Sequence, residues 1–413
     1  MLDIKLIREE PEKIKKATSD KGKDPKLVEE VILADRKVRD LRKEAENLRA
    51  KRNELAREGK KSEEAIELKK RLKLVEDELA EKEKDFVQKM LLLPNPAASD
   101  VTVGKDESEN QVLRKYGKTP VFDFTPKDHL ELGESLDLID VKRAAKVTGA
   151  RFGYLKNEAV ILEFALIRLV FETLLKEGFI PVVPPVFISD ESMKGMGYLE
   201  FGGEEETYHF EKDKLFLVGT SEQAIGPMHQ NEVFQAKDLP KRYVGFSTCF
   251  RREAGSYGKD TRGIFRVHQF DKLEMFSFTL PSQSDREHEY LLSLEEKLVQ
   301  ALELPYQVLK MCTGDLGIPA ARKYDIECWF PSEERYRETH STSTCTDFQA
   351  RRLNIRYQEK GQTAVLHTLN GTAFAIGRII LAILENYQQK DGSVLVPKVL
   401  QPWTGFDKIS PKV

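Results

Sequence analysis

The sequence of 413 residues is short of several things, and each shortage excludes a class of protein. There are four cysteines, Cys249, Cys312, Cys328 and Cys345, and no two form a C-x-x-C pair. No zinc ribbon or disulfide framework follows from that spacing; scattered thiols suit a reducing compartment, so a cytoplasmic location is expected. Long uncharged apolar runs are missing. The densest stretch, Ala159 to Leu175, is broken by Glu163, Arg168 and Glu172. A spanning helix needs ~20 nearly uncharged residues, so no membrane partner is expected. The opening Met1-Leu-Asp-Ile-Lys-Leu-Ile-Arg has no apolar core and carries an acid, so no signal peptide is expected. Neither G-x-G-x-x-G after a strand nor G-x-x-x-x-G-K-[ST] occurs, so the two common nucleotide-binding loops are unsupported. An excess of one charge is lacking too. With 66 Lys+Arg against 69 Asp+Glu, a wholly basic nucleic-acid binder is excluded, but a local basic patch is not.

Proline is absent from Leu27 to Leu93, where Gly59 is the only glycine. Val31, Ala34, Val38, Leu41, Ala45, Leu48, Arg52 and Leu55 recur at alternating steps of three and four. Beyond Gly59, so do Ala65, Leu68, Leu72, Val75, Leu79, Lys82 and Phe86. This is a 3.5-residue seam, repeated on both sides of a turn at Gly59-Lys60-Lys61-Ser62. It predicts an antiparallel helical hairpin, an arm about 48 Å long at 1.5 Å per residue. Between Arg49 and Lys73 ten basic residues face five acidic ones. An arm of this kind fits an oligomerisation coiled coil. Its basic end also suits a phosphate backbone.

Leu93-Pro-Asn-Pro stops the hairpin, because proline lacks the backbone donor that a helix uses. We divide the chain into residues 1–100 with the arm at 27–93, a polar linker at 101–118, and a globular domain at 119–413. In the last, Glu158–Glu177 reads as a buried helix capped by Gly178. Strand-like runs follow at 179–183, 214–218, 243–250, 263–278, 323–329 and 363–369. Their hairpin-like spacing predicts an α+β fold with a central antiparallel sheet flanked by helices.

The chemistry concentrates in the string from Cys249 to Glu274. A strand bearing Phe250-Arg251-Arg252-Glu253 runs into a glycine-rich loop, and a second strand returns through Arg266-Val267-His268-Gln269-Phe270. The hairpin presents Arg251, Arg262 and Arg266 beside Glu253 and Phe270. Guanidinium groups hold phosphate or carboxylate bidentately and stay charged. An aromatic face suits a base, and a carboxylate can accept from an exocyclic amine.

This string resembles motif 2 of the class II aminoacyl-tRNA synthetases, and of their seryl branch of bacterial type. The resemblance covers the whole chain. Glu177-Gly-Phe-Ile-Pro-Val-Val-Pro-Pro185 is similar to motif 1, which forms the dimer interface in that family. Asn370-Gly-Thr-Ala-Phe-Ala-Ile-Gly-Arg378 is similar to motif 3. The resemblance implies serine activation with ATP, followed by transfer of the seryl group to the 3′ end of serine tRNA, and by extension of selenocysteine tRNA. It also implies a homodimer whose arm grips the long variable arm of that tRNA. The candidate tRNA contacts are Arg49, Lys51, Arg52, Lys60, Lys61, Lys69, Lys70 and Arg71.

Roles carry over residue by residue as implications of the resemblance. Arg251 and Arg378 are the catalytic candidates. Arg251 clamps the α-phosphate and the serine carboxylate, Glu253 meets the adenine, and Phe270 and Arg378 sandwich it. Arg266 reaches the terminal phosphates. Arg252, Val267, Thr339 and His340 complete the ATP contacts. Thr220, Ser221 and Glu222 hold the serine ammonium; Glu274 and Thr372 meet its hydroxyl. A bare Thr-x-Glu is also a common helix cap, and Glu274 could equally pair with Lys272 or Arg251. Glu338 and Ser341 match the positions that hold Mg²⁺ on ATP; no zinc is expected. Here the chain departs from the family pattern, with His340, Thr342 and Thr344 where Ser, Cys and Asn are common. His340 and His268 read more readily as packing residues than as catalysts. Two other readings stand: a ligase that loads an amino acid onto a carrier protein, whose relatives lack this arm, and a coiled-coil interaction protein with a degenerate synthetase body.

Overall fold

The computed structural model describes residues 1–57, 63–254, 260 and 262–412, and the structural statements below concern those residues. They form two compact units, Met1–Pro96 and Ala97–Val413.

The first unit is built on two long helices, α1 (Lys26–Arg57) and α2 (Glu63–Leu91). Leu41, Ala45, Leu72 and Val75 close their seam, with Leu48 and Leu79 half-buried beside them. Ion pairs flank the seam: Arg42 with Glu83 at 2.7 Å and Arg49 with Glu76 at 2.8 Å. As one residue number rises its partner's falls, so the helices run antiparallel. One seam position differs from the sequence reading. Asp35, not Ala34, is buried. Arg8 donates to its carboxylate at 2.8 Å and Arg39 at 3.1 Å, which is what allows a charge to sit there. Arg52 is exposed rather than seam-facing. The turn with Lys60 and Lys61 lies outside the described residues.

The second unit is an eight-stranded sheet. In chain order its strands are β1 (Gln111–Tyr116), β2 (Ile180–Val182), β3 (Lys241–Phe250), β4 (Gln269–Thr279), β5 (Tyr306–Lys310), β6 (Arg322–Phe330), β7 (Arg335–Thr346) and β8 (His367–Ala375). They lie in the order β1-β5-β6-β7-β8-β4-β3-β2. All neighbours are antiparallel except β2 and β3 at one edge, which run parallel. The sheet is therefore mixed, though mostly antiparallel as expected. Within the segment read as a linker, β1 forms the other edge. All six of its side chains are exposed, so it carries no alternating apolar signature. Of the run at 263–278, the part before Gln269 is loop, and the run at 363–369 divides between a short strand, Gln362–Val365, and β8.

Three helices cover one face of the sheet: α3 (Glu158–Lys176), α4 (Ser284–Ala301) and α5 (Ile376–Asn386). Leu166, Val170, Leu298, Ile380 and Ile383 pack there against Leu273, Met275, Ile326, Cys328 and Leu369. α3 ends as its sequence predicts. Gly178 takes φ +80°, its N–H donates to the Leu175 carbonyl, and Phe179 donates to that of Leu174. Those two bonds close the last turn, and glycine adopts the left-handed conformation without strain. Because strand side chains alternate, the residues between the apolar ones point to the opposite face, which is left for chemistry.

Candidate active site

That opposite face holds a cleft with about 1180 Å³ of empty space, part of it open to solvent. Strand β4 lines it with Phe270, Lys272 and Glu274, each two residues apart. β7 contributes Glu338 and Ser341, whose spacing of three would place them on opposite faces of a regular strand. The register slips between Ile326 and Glu327, which face His340 and Glu338, so Thr339 is the extra residue of a bulge. Glu338 and Ser341 thereby both reach the cleft. Thr372 on β8 lies directly opposite Glu274 on β4. Arg378 sits in the first turn of α5.

The cations are held by shared partners. Arg251 donates from Nε to the Gly219 carbonyl at 3.1 Å, and its guanidinium lies 5.3 Å from the Phe270 ring centre. Arg266 donates to Glu253 at 2.6 Å and to Asp260 at 3.4 Å. Arg337 donates to Asp260 at 2.6 Å. Arg378 donates to the Glu338 carbonyl at 2.9 Å and pairs with the carboxylate at 3.3 Å. Phe265 is flanked by Arg337 at 3.8 Å and Arg378 at 4.8 Å. Arg378 thus rests on Phe265, and it lines the same cleft as Phe270. Glu253 has φ +54°, in the left-handed region, where the chain turns from β3 into the loop. The hairpin base is locked by His268, whose ring Nδ1–H donates to the Arg251 carbonyl at 3.0 Å.

At the deeper end two carboxylates and one ammonium share a pocket. Lys272 pairs with Glu274 at 2.6 Å and donates to Thr220 Oγ1 at 3.2 Å. Glu222 accepts a short hydrogen bond from the Tyr198 hydroxyl. Burial, and then the charge of Glu274, push the Glu222 carboxyl up to about 7 against the opposing effect of Lys272. Glu338 goes the other way. Its burial favours the neutral acid, but the charges of Arg378, Lys323 and Arg251 overcome that and hold it at about 2.

Of the residues expected from the sequence, the cleft brings together Thr220, Glu222, Arg251, Glu253, Arg266, Val267, Phe270, Glu274, Glu338, Thr339, Ser341, Thr372 and Arg378. Four side chains lie elsewhere. Ser221 is buried and donates to the Gly245 carbonyl at 3.3 Å; it makes no side-chain cap for the short helix Glu222–Ile225. Arg252 is exposed, with its guanidinium 5.9 Å from the Tyr208 ring centre. His340 points to the far side of β7, where it packs edge-on against Phe374, and burial pushes it down to about 3. Arg262 is exposed, 3.9 Å from Asp128. Tyr198, Phe265, Lys272, Lys323 and Cys345 also line the cleft without having been expected there. Only Lys272 carried a signal, its two-residue spacing from Glu274.

Glu338 and Ser341 supply hard oxygen donors on one wall, and Glu338 is ionised, so the donor set fits a magnesium ion. Among the described residues no three His, Cys, Asp or Glu side chains cluster as metal ligands, and no helix is long and apolar enough to cross a membrane.

Comparison with known proteins follows the same division of the chain. Residues 1–97 match the seryl-tRNA synthetase N-terminal domain, and residues 207–387 match the class II core domain of tRNA synthetases for G, H, P, S and T. A serine–tRNA ligase of Dictyoglomus turgidum is 48% identical over 424 residues, with all of both chains covered. One from Acidothermus cellulolyticus is 46% identical over 421 residues, again with both chains covered in full. Among solved structures, a seryl-tRNA synthetase from Pyrococcus horikoshii complexed with ATP superposes with a TM-score of 0.94 at 42% identity, covering 100% of each chain. A cytoplasmic serine–tRNA ligase from Naegleria fowleri in complex with AMP gives 0.90 at 33%, covering 100% of this chain and 99% of the other.

Proposed function

The chain belongs to the seryl-tRNA synthetase family, and from that premise we propose how its cleft performs serine activation. The enzyme is an AMP- and pyrophosphate-forming serine–tRNA ligase with ATP, serine and tRNA as its partners. The carrier-protein alternative is not favoured, since the tRNA synthetase N-terminal domain occupies residues 1–97.

One observation carries the reading of the site. Arg251, Arg266 and Arg378, distant in sequence, line a single cleft whose deep end holds Glu222 and Glu274. Serine carboxylate attacks the α-phosphorus of ATP, giving seryl-adenylate and pyrophosphate. The nucleophile is ionised near neutral pH and needs no general base. The obstacle is the approach of two anions, which fixed cations offset. Arg251 serves both anions, Arg266 the terminal phosphates, and Phe270 and Arg378 the adenine. For this, Glu253 divides its carboxylate between Arg266 and the base. Glu222 with Thr220 takes the serine ammonium. Glu274 with Thr372 takes the hydroxyl, so alanine strands a buried carboxylate and is rejected. Magnesium held by Glu338 and Ser341 would neutralise charge on the phosphates. Transfer to the terminal ribose hydroxyl of tRNA completes the reaction.

The test is serine-dependent ATP–pyrophosphate exchange, followed by charging of serine tRNA. Exchange with alanine or glycine but not serine would remove the assignment. The arm is the contact for the long variable arm of the tRNA, and its basic end supports that reading. We also propose a cytoplasmic homodimer through α3 and β2, whose Phe164 and Ile180 are exposed at 63% and 43%. A monomer in sedimentation would remove the dimer.

A further inference from the structure

The pocket at the deep end has a charge that does not balance. Glu222 and Glu274 contribute two carboxylates, and Lys272 a single ammonium. The ammonium is not shared evenly: it sits 2.6 Å from Glu274. Glu222 has no cation as a direct partner: it meets the Tyr198 hydroxyl, which donates a hydrogen bond but carries no charge, and the carboxyl of Glu274. The groups facing Glu222 are Tyr198, Lys272 and Glu274, and Cys345 lines the same cleft.

Local structure fixes Tyr198 in place. The helix Asp190–Met196 ends on Gly197 at φ +83°. A Cβ on Gly197 would come within 2.9 Å of the Phe348 ring, so the position takes glycine for both conformation and space. Glu200, two residues beyond Tyr198, pairs with Arg352 at 2.5 Å. Tyr198 is therefore set between two anchored points, with its hydroxyl on Glu222.

We propose that Tyr198 is a positioning residue that sorts the two carboxylates by role, orienting Glu222 for the substrate ammonium without neutralising it. This rests on the reading of the pocket as the serine site. Glu274, already paired with Lys272, keeps only hydrogen-bonding capacity and is left to the neutral hydroxyl. Glu222, pushed up to about 7 in the empty pocket, releases its proton as an ammonium enters, and the charges then balance. If the partners were exchanged, the ammonium would be drawn to the wrong end of the pocket. Tyr198 thus contributes to specificity for an α-amino acid over an isostere without the amine.

The experiment is Tyr198→Phe in the full-length enzyme, assayed by ATP–pyrophosphate exchange. The KM for serine should rise roughly 10- to 100-fold, as for loss of a hydrogen bond to a charged group. The KM for ATP should stay within about twofold, since the ATP contacts lie outside the deep end of the cleft. Glycerate keeps the carboxylate and hydroxyl but not the ammonium, and its inhibition constant should be unchanged. Glu222 must be ionised to hold the ammonium, and Tyr198 favours that form. Without the phenol, the acid-side fall in kcat/KM for serine should begin at higher pH. An unchanged serine KM and pH profile would overturn the proposal. So would equal weakening of serine and glycerate, which would mean that the ring merely shapes the pocket. Glu222→Gln separates the parent reading: if that variant binds serine normally, Glu222 does not hold the ammonium and the serine-site assignment itself fails.

Discussion

At the scale of single residues, the site is a set of cations held by carbonyl and carboxylate partners on the cleft walls. Arg251 is the least committed of them to a carboxylate: its Nε donates to a backbone carbonyl and its face lies over Phe270. Under the proposed function, its charge serves two anionic substrates at once. Arg251→Ala should lower exchange by at least about 100-fold, the cost of removing one preorganised donor to developing charge. The melting temperature should change little, because the arginine lies on a cleft wall and not in the apolar core. Near-normal exchange would refute its role. Arg251, Arg266, Phe270 and Arg378 were legible because each stands in a long string with few other uses. Tyr198 and Lys323 were not, since a single residue in a loop or an ordinary strand carries no pattern; Phe265 lies within the string, but nothing there assigned it a role. His340, offered as an ATP contact but read more readily as a packing residue, packs against Phe374; only the bulge at Thr339, invisible in sequence, decides which side chains of β7 turn inward.

At the scale of elements, strand alternation divides the sheet into a catalytic face and a helix-covered face. Helix α3 shows the cost on the covered side. Glu163 faces Asp271 of β4, and burial, then the hydrogen bond and charge of Asp271, push the Glu163 carboxyl from 4.5 up to about 8. The folded protein therefore holds a proton there that the unfolded chain has released. Stability should decline as pH rises from about 4.5 towards 8, because the unfolded state then binds fewer protons. Glu163→Gln needs no proton and should flatten that decline. Melting curves across this range test it, and an unaltered slope would show that the pair does not share a proton. Sequence showed α3 and its glycine cap well, because periodicity and Gly178 are local. It could not show β1, whose membership of the sheet rests on backbone pairing with β5 rather than on burial. Nor could it show that β2 joins its neighbour in parallel, which depends on the distant return of β3.

At the scale of the whole molecule, the proposed function divides chemistry from recognition between the two units. The catalytic unit needs only small substrates for exchange, while charging needs the tRNA as well. The arm's basic residues are not equivalent for this purpose. Arg49 and Arg71 are tied to Glu76 and Glu44 across the helix pair, each at 2.8 Å, so changing them would disturb the arm itself. Lys51, Lys69 and Lys70 are exposed on its flanks. Reversing these three to glutamate tests contact with a phosphate backbone while leaving the seam intact. The KM for serine tRNA should rise roughly tenfold or more, and the salt dependence of charging should become shallower, because fewer counterions are released. Exchange should be untouched. Equal loss of exchange and charging would instead mean that the substitutions act through folding. Unchanged charging would leave the arm with its other physical use, pairing with another helical surface.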